Sequence, residues 1–349
     1  MCVLVMCGAM LGALGSVVPR APGPAVAASR PSTRPGPVLA LDVKHPPAST
    51  QPRSGVLGGA NVSVIITGPI GRDCTWRLMY DNQSVTGGRL VFDAAGAGRF
   101  KFVMPDVRVR AECELVALSG SNTLRCRLTA FPRAGLAIAS KLIGTLRIGV
   151  IDSDGSIGKT LAAEGVACEN LSTRLEQDAF EGGAVIIAGR ADRAVLSDIC
   201  LRLKDRIKNG MFVIVANPPK RWSLWGVSAK DLTPQTGYKI AFAQRFGWEI
   251  KPADLAGGPR PMMLSTTKKW NALVWLDSTA RPDKKQEAKS KHPLACYRRM
   301  GRGQVLAATF PELADPLGDA VGRGVLDSLV MWVLKERFGE KTLLEKKNE

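Results

Sequence analysis

Residues Leu146 to Lys159 read LRIGVIDSDGSIGK, the stretch of this chain richest in possible chemistry. An apolar run ends in Asp152 and Asp154, two residues apart. Gly155 and Ser156 follow, and Lys159 stands one turn into the next element. Carboxylates at this spacing can attack, exchange protons or hold a divalent cation. The first turn of a helix offers free amides to an anion, within reach of Ser156 and Lys159. The same atoms also have a plainer use. Either aspartate can accept the first helical amides as a cap, and Gly155 permits the turn. Open α/β sheets place ligand chemistry at such strand ends, so the surrounding elements decide between these uses.

The chain has 349 residues, 45% of them hydrophobic, enough for two folded domains. Lys and Arg number 48 against 31 Asp and Glu, a formal charge of +17 that favours anionic partners such as nucleic acid, acidic glycan or a membrane surface. No helix-turn-helix or finger pattern accompanies that charge, so nucleic acid is not the expected partner. The two histidines, His45 and His292, lie in a Pro-rich linker and a Lys-rich segment. That placement disfavours a buried catalytic histidine and a His-rich zinc site. None of the eight cysteines forms a CxxC pair. Cys113 and Cys126 either pair across a hairpin or serve as buried apolar residues.

Residues 2–18 are apolar and small, and Ala25-Val26-Ala27 reads as a cleavage site, so residues 1–28 read as an export leader. With it removed, no integral membrane segment is expected. Residues 29–56, rich in Pro, Ala, Ser and Thr, read as a disordered tether. Residues 57–133 hold short alternating strands: NVSVIIT (61–67), CTWRLMYD (74–81), RLVFD (89–93), and more up to Phe131. These predict a β-sandwich with Trp76, Leu78, Val91, Phe100, Phe102 and Leu115 in its core. Trp76 or Tyr80 offers a sugar-binding face, although aromatics on alternating strands are usually core.

From residue 134 to 345 strands alternate with helices. LRIGVI (146–151), VACENL (166–171), GGAVIIAG (182–189) and MFVIVAN (211–217) predict strands, the later ones apolar on both faces. Helices are expected over 156–165, from a cap at Asp192 through Asn209-Gly210, around 237–246, and over 317–338. NALVWL (271–276) and QVLAATF (304–310) complete the strands. The pattern predicts a doubly wound, flavodoxin-like sheet. Residues 220–269 read as mostly irregular, with Trp222, Trp225, Trp248 and Trp270 either lining a groove or anchoring an insertion. Residues 268–303 carry ten Lys or Arg against three Asp or Glu and read as an exposed excursion.

Three segments resemble the class I glutamine amidotransferase-like fold, in the degenerate form found beside β-sandwich modules in sugar-active and cell-surface bacterial proteins. GVIDSDGSIGKTLAAEGV matches its first strand and helix. GGAVIIAGRAD, a helix and NGMFVIVANPP match the region of its nucleophile, and GRGQVLAATF its late "G-K-G-x-V" strand. The resemblance implies a cysteine just after MFVIVAN, where this chain has Asn217-Pro218-Pro219. It also implies a histidine beyond the late strand, where GQVLAATFPE has none. Cys168 and Cys200, within a strand and a helix, do not replace the nucleophile.

Val150 to Ser156 also resembles the first motif of haloacid-dehalogenase-type phosphatases, Asp-x-Asp-Gly-Thr. That resemblance implies Asp152 as nucleophile, Asp154 as acid and base, and magnesium held by both. The later Ser or Thr, Lys and acidic pair of that family are not matched: Asn217 stands at the strand end, and Lys220 is nearby. SDGSIGKT (153–160) falls one glycine short of a phosphate loop, and Asp154 would repel phosphate.

The leading expectation is therefore a non-catalytic, exported, envelope-associated protein that binds a glycan or a partner protein. Ser156, Lys159, Asn217, Lys220 and Trp222 are its candidate ligand contacts, and no cofactor is needed. The alternative is a magnesium-dependent phosphoryl hydrolase built on Asp152 and Asp154.

Overall fold

The computed structural model describes residues 38–43, 55–67, 74–92, 97–119, 122–139, 143–188, 192–231, 238–243, 250–255, 262–267, 269–278 and 291–339. The expected leader, most of the expected tether with His45, Trp248, and residues 279–290 of the basic segment lie outside them. The chain divides into two compact units. One holds residues 1–44, 61–102 and 114–126; the other holds 45–60, 103–113 and 127–349.

Nine strands come first: β1 (Val38–Val43), β2 (Gly55–Leu57), β3 (Asn61–Thr67), β4 (Cys74–Tyr80), β5 (Gln83–Arg89), β6 (Val91–Phe92), β7 (Gly98–Val103), β8 (Ala111–Ser119) and β9 (Asn122–Phe131). They form sheets in the orders β1-β3-β7-β6 and β2-β9-β8-β4-β5. In the first unit, β4 and β7 alternate buried and exposed residues, the pattern of half-buried strands. Trp76 of β4 stacks on Phe100 of β7 with ring centroids 4.4 Å apart, and Phe102 lies 5.4 Å away. Leu78 and Leu115 are buried as expected.

Two expectations change here, and the alternatives for Cys113 and Cys126 narrow. Val91 is 73% exposed, because Leu90 and Phe92 turn inward on either side of it and strand alternation sends it out. Residues 38–43, inside the expected tether, pair antiparallel with β3 from Val38–Thr67 to Val43–Val62. Their VLALDV run is apolar enough for a strand, and its Pro-rich flanks concealed it. Cys113 and Cys126 are not joined in a disulfide. Both are buried, and burial raises both thiol pKa values.

The larger unit continues with β10 (Ile148–Ile151), α1 (Ser156–Ala163), β11 (Cys168–Asn170), α2 (Arg174–Ala179), β12 (Ala184–Ala188), α3 (Arg193–Arg202), α4 (Lys204–Lys208) and β13 (Phe212–Ala216). Then come β14 (Ser223–Leu224), β15 (Val227–Lys230), β16 (Tyr238–Phe242), α5 (Pro252–Leu255), β17 (Met263–Thr266), β18 (Asn271–Ser278), β19 (Lys291–Met300), β20 (Gly303–Ala308) and α6 (Ala320–Phe338). Eight of these strands make one sheet, β11-β10-β12-β13-β20-β19-β18-β16. Its first five members pair parallel and its last three antiparallel. The parallel strands are apolar at almost every position because helices cover both faces. Ile148, Val150, Ile186 and Ile214 pack with Ile157 and Leu161 of α1 and Val325 and Leu329 of α6. Val185, Ile187, Val213 and Val215 pack with Leu196 and Ile199 of α3 and Ile207 of α4.

Two sequence expectations fail in this sheet. The helix expected around 237–246 is instead strand β16 over Tyr238–Phe242, paired with β18. Its YKIAF alternates large apolar residues with Lys and Ala, a period of two rather than 3.6. Residues 291–300, read as part of an exposed excursion, form β19 inside the sheet, with Leu294, Ala295 and Cys296 buried. Pro293 is accommodated because the pairing with β18 shifts register beside its partner Trp275. The region read as irregular also holds a small sheet, β14-β15-β17.

Helix α6 is buried from Ala320 through Leu334. Gly322 and Gly324 allow its close contacts: a Cβ would fall 2.3 Å from the Glu312 carbonyl oxygen at the first, and 2.9 Å from the Phe131 ring at the second. Between them, Arg323 places Nε 3.4 Å from Glu164 Oε1 at the end of α1, an ion pair without hydrogen-bond alignment. Arg323 Nη1 donates to the Arg133 carbonyl at 3.0 Å, and the Leu136 amide donates to Glu164 Oε2 at 3.3 Å. Burial pushes the Glu164 carboxyl pKa above its ordinary value, against the pull of the Leu136 amide and Arg323. Among the described residues no helix is long and apolar enough to cross a membrane.

A second charged group holds the segment around α5. Arg110 grips Asp254 with Nε–Oδ2 2.7 Å and Nη2–Oδ1 2.6 Å, a fork that is almost fully buried. Glu112 accepts from Lys251 and Arg110, each at 2.9 Å, and these bonds lower its pKa from 4.5 to about 2.

Gly322→Ala forces α6 off the Glu312 backbone and should cost about 1–3 kcal/mol in urea unfolding. Gly158→Ala, with nothing within 4 Å of the new Cβ, should instead gain about 0.5–1 kcal/mol from helix propensity. The Glu112 contribution is present above its unfolded pKa of 4.5 and is lost as pH falls through about 2. Glu112→Gln should therefore flatten the acid limb of the stability profile between those values. High salt should shrink the difference, since the Glu112 side chain is 59% exposed.

Candidate functional site

The parallel strands end together at one edge of the sheet, and the aspartate loop leaves from β10 there. Gly155 adopts a left-handed φ of 69°, which turns the chain from strand to helix. Asp152 Oδ2 accepts the Ile157 amide at 2.7 Å, and its Oδ1 faces the Asp154 amide at 3.4 Å. Asp154 Oδ1 accepts the Ser156 amide at 3.1 Å. The first two amides of α1 are thus each met by a carboxylate, which also complements the helix dipole. Thr160 Oγ1 donates to the Ser156 carbonyl at 2.7 Å and closes the first turn. Lys159 is exposed, and its chain folds back so that a Cβ on Gly155 would stand 3.8 Å from its Cε.

Asn217 follows β13 with φ 52°, and its amide donates to the Ala308 carbonyl at 2.7 Å. Left-handed backbone is tolerated by Asn, so this sharp turn needs no glycine. Ile151 aligns through Ile187 with Val215, so the β10 and β13 ends are two strand spacings apart, about 10 Å. Lys220 pairs with Asp231 on the surface, both side chains more than half exposed. Trp222 is fully buried against β13 and β15 in the core under α3 and α4. Trp270 Nε1 and Arg298 Nη1 both donate to the Trp225 carbonyl, at 3.0 and 2.6 Å. Trp222 and Trp270 therefore anchor the excursion after β13.

Of the residues singled out by sequence, the structure gathers Asp152 and Asp154 in the loop after β10 and Ser156 and Lys159 in the first turn of α1. Asn217 shares their sheet edge, while Lys220 and Trp222 face a surface partner and a core. Magnesium needs several oxygen donors in near-octahedral array. Here Asp152 and Asp154 accept helix amides, and among the described residues no group of three or more His, Cys, Asp or Glu is placed to hold a metal. The buried Glu164–Arg323 pair escaped the sequence reading. Its available signal was an arginine between glycines on the apolar helix of residues 320–338.

No family model matches the chain, and no curated protein matches it. Among solved structures, an exo-β-1,4-mannosidase from Opitutaceae bacterium strain TAV5 is 13% identical over 54% of this chain and 35% of its own, with a TM-score of 0.33. An engineered protein is 17% identical over 28% of this chain and 20% of its own, with a TM-score of 0.21. A β-glucuronidase from Bifidobacterium dentium is 11% identical over 51% and 30%, with a TM-score of 0.18. The chain spans about a third or less of the length of these proteins, and likeness at this level assigns neither fold nor function.

The loop geometry gives a direct expectation. Asp152→Ala should cost about 1 kcal/mol of stability through loss of the cap, with faster hydrogen exchange at the Ile157 amide. Asp154→Ala should do the same at Ser156. Additive losses with unshifted exchange at both amides would contradict the capping roles.

Proposed function

We propose that this chain is a non-catalytic, exported protein whose β-sandwich precedes a doubly wound, amidotransferase-like domain, and that it acts by binding a partner protein of the cell envelope. The observation that carries this reading is the use of both loop carboxylates as helix caps. A phosphoryl-transferring aspartate must keep an oxygen lone pair directed at phosphorus and share a metal with its neighbour. The strand order 2-1-3-4-5 within the parallel part, with helices on both faces, supports the doubly wound assignment. Asn217 occupies the sharp turn after β13, where the resemblance calls for a cysteine. Burial pushes the Cys200 thiol up to about 12 and raises that of Cys296, the wrong direction for a nucleophile.

Sugars stack on exposed ring faces: Trp76, Trp222 and Trp270 are buried, whereas Tyr80 is 50% exposed and supports a glycan as the second reading. Export rests on the apolar run over residues 2–18.

The test is hydrolysis of p-nitrophenyl phosphate with and without magnesium, by the full chain and by Asp152→Asn. We expect no magnesium-dependent turnover in either protein. Magnesium-dependent turnover that Asp152→Asn abolishes, in a variant with unchanged unfolding, would replace this reading with the hydrolase.

A further inference from the structure

The hairpin of β4 and β5 turns at Asp81 and Asn82, whose φ values of 47° and 62° are left-handed. Asp and Asn tolerate such backbone, and a tight two-residue hairpin turn needs it at both positions. From there β5 runs to Arg89 as the last strand of β2-β9-β8-β4-β5, paired with β4 alone. Six of its seven residues are exposed and Thr86 is half-buried, so its free side is open. An open strand edge presents amides and carbonyls that another strand can pair with, and natural edges are blunted by proline, charge, shortness or bulges. β5 carries one such device, a bulge where the β4 pairing skips Val85. It otherwise has full strand length, no proline and a single charged residue, Arg89. Val85 is 46% exposed.

The charges at its two ends select the occupant. Asp81 and Arg89 are both exposed, and among the described residues neither has an ion-pair or side-chain hydrogen-bond partner. Gln83 and Arg89 stand about 20 Å apart at roughly 3.3 Å per residue, so Asp81 and Arg89 cannot meet within one chain. An antiparallel copy of β5, related by a two-fold axis at Thr86, sets Arg89 of each chain against Gln83 of the other. Asp81, two residues further along, then comes within reach of that arginine side chain. Symmetry forms the contact twice. Gly87 and Gly88 face Val85 and Ser84 and leave them room. A parallel copy would instead set Arg89 against Arg89. The formal charge of +17 opposes association of two copies, but screening over about 8 Å at physiological salt confines that opposition to charges near the edge.

We propose that β5 is a dimer interface, at which a second copy of this chain pairs antiparallel and the two exchange Arg89–Asp81 ion pairs. The interface depends neither on export nor on the aspartate loop.

The test is sedimentation equilibrium of the full chain across micromolar concentrations at physiological salt. The mass should rise from that of one chain to that of two. Arg89→Glu turns both attractive contacts repulsive and should weaken the dimer roughly tenfold at an unchanged unfolding midpoint. Asp81→Asn, which keeps a residue suited to the left-handed turn, should weaken it by a smaller factor. Added to Arg89→Glu, it removes the repulsion and should recover roughly threefold of the lost affinity. Asp81 and Arg89 lie at opposite ends of β5, so that recovery requires contact between copies. A monomer at every concentration, a dimer indifferent to Arg89→Glu, or no recovery in the double variant would each overturn the proposal.

Discussion

The larger unit depends on burying one helix, α6, on every side while that helix carries charge. Its apolar residues back the parallel strands, and its glycines admit the backbone of residues 311–314 and the Phe131 ring. Arg323, in the middle of that apolar surface, can be buried only because Glu164 and the Arg133 carbonyl meet it. A lone buried charge would be strongly destabilising, whereas a paired one adds little net stability but demands a single geometry. The pair therefore fixes where α1 ends and where residues 133–136 run.

The loop after β10 sets two aspartates against the first amides of α1. Two aspartates after an apolar strand are what a phosphoryl-transfer site requires, and also what a tight strand-to-helix turn requires. Each helix start exposes amides that need acceptors. Here carboxylates supply them, at 2.7 and 3.1 Å. At the same edge, Lys220 is held by Asp231 and Trp222 is enclosed in the core.

The parallel strands and their helices were legible in the sequence because long apolar runs and helical periodicity signal them with little help from context. GGAVIIAG and MFVIVAN are such runs, and Asp192 caps α3 as its position suggested. The antiparallel half of the sheet was not legible. KHPLACYRRM has a proline and four basic residues, yet becomes β19 because its neighbours on both sides supply pairing partners and a register shift absorbs the proline. YKIAF was too short to separate two periodicities, and only pairing with β18 decides it. At the site, spacing revealed the loop and its glycine but not the direction of each carboxylate, which the Ser156 and Ile157 amides determine. The Glu164–Arg323 pair joins residues 159 positions apart, a separation no local pattern encodes.

The central claim is that the Asp152 and Asp154 carboxylates belong to the helix rather than to a metal. It is tested most directly by a magnesium titration of the isotope-labelled protein, following the amide resonances of Asp154, Ser156 and Ile157 against a sodium chloride control of equal ionic strength. The account predicts that these amides move no more with magnesium than with sodium. Saturable shifts confined to this loop would contradict it.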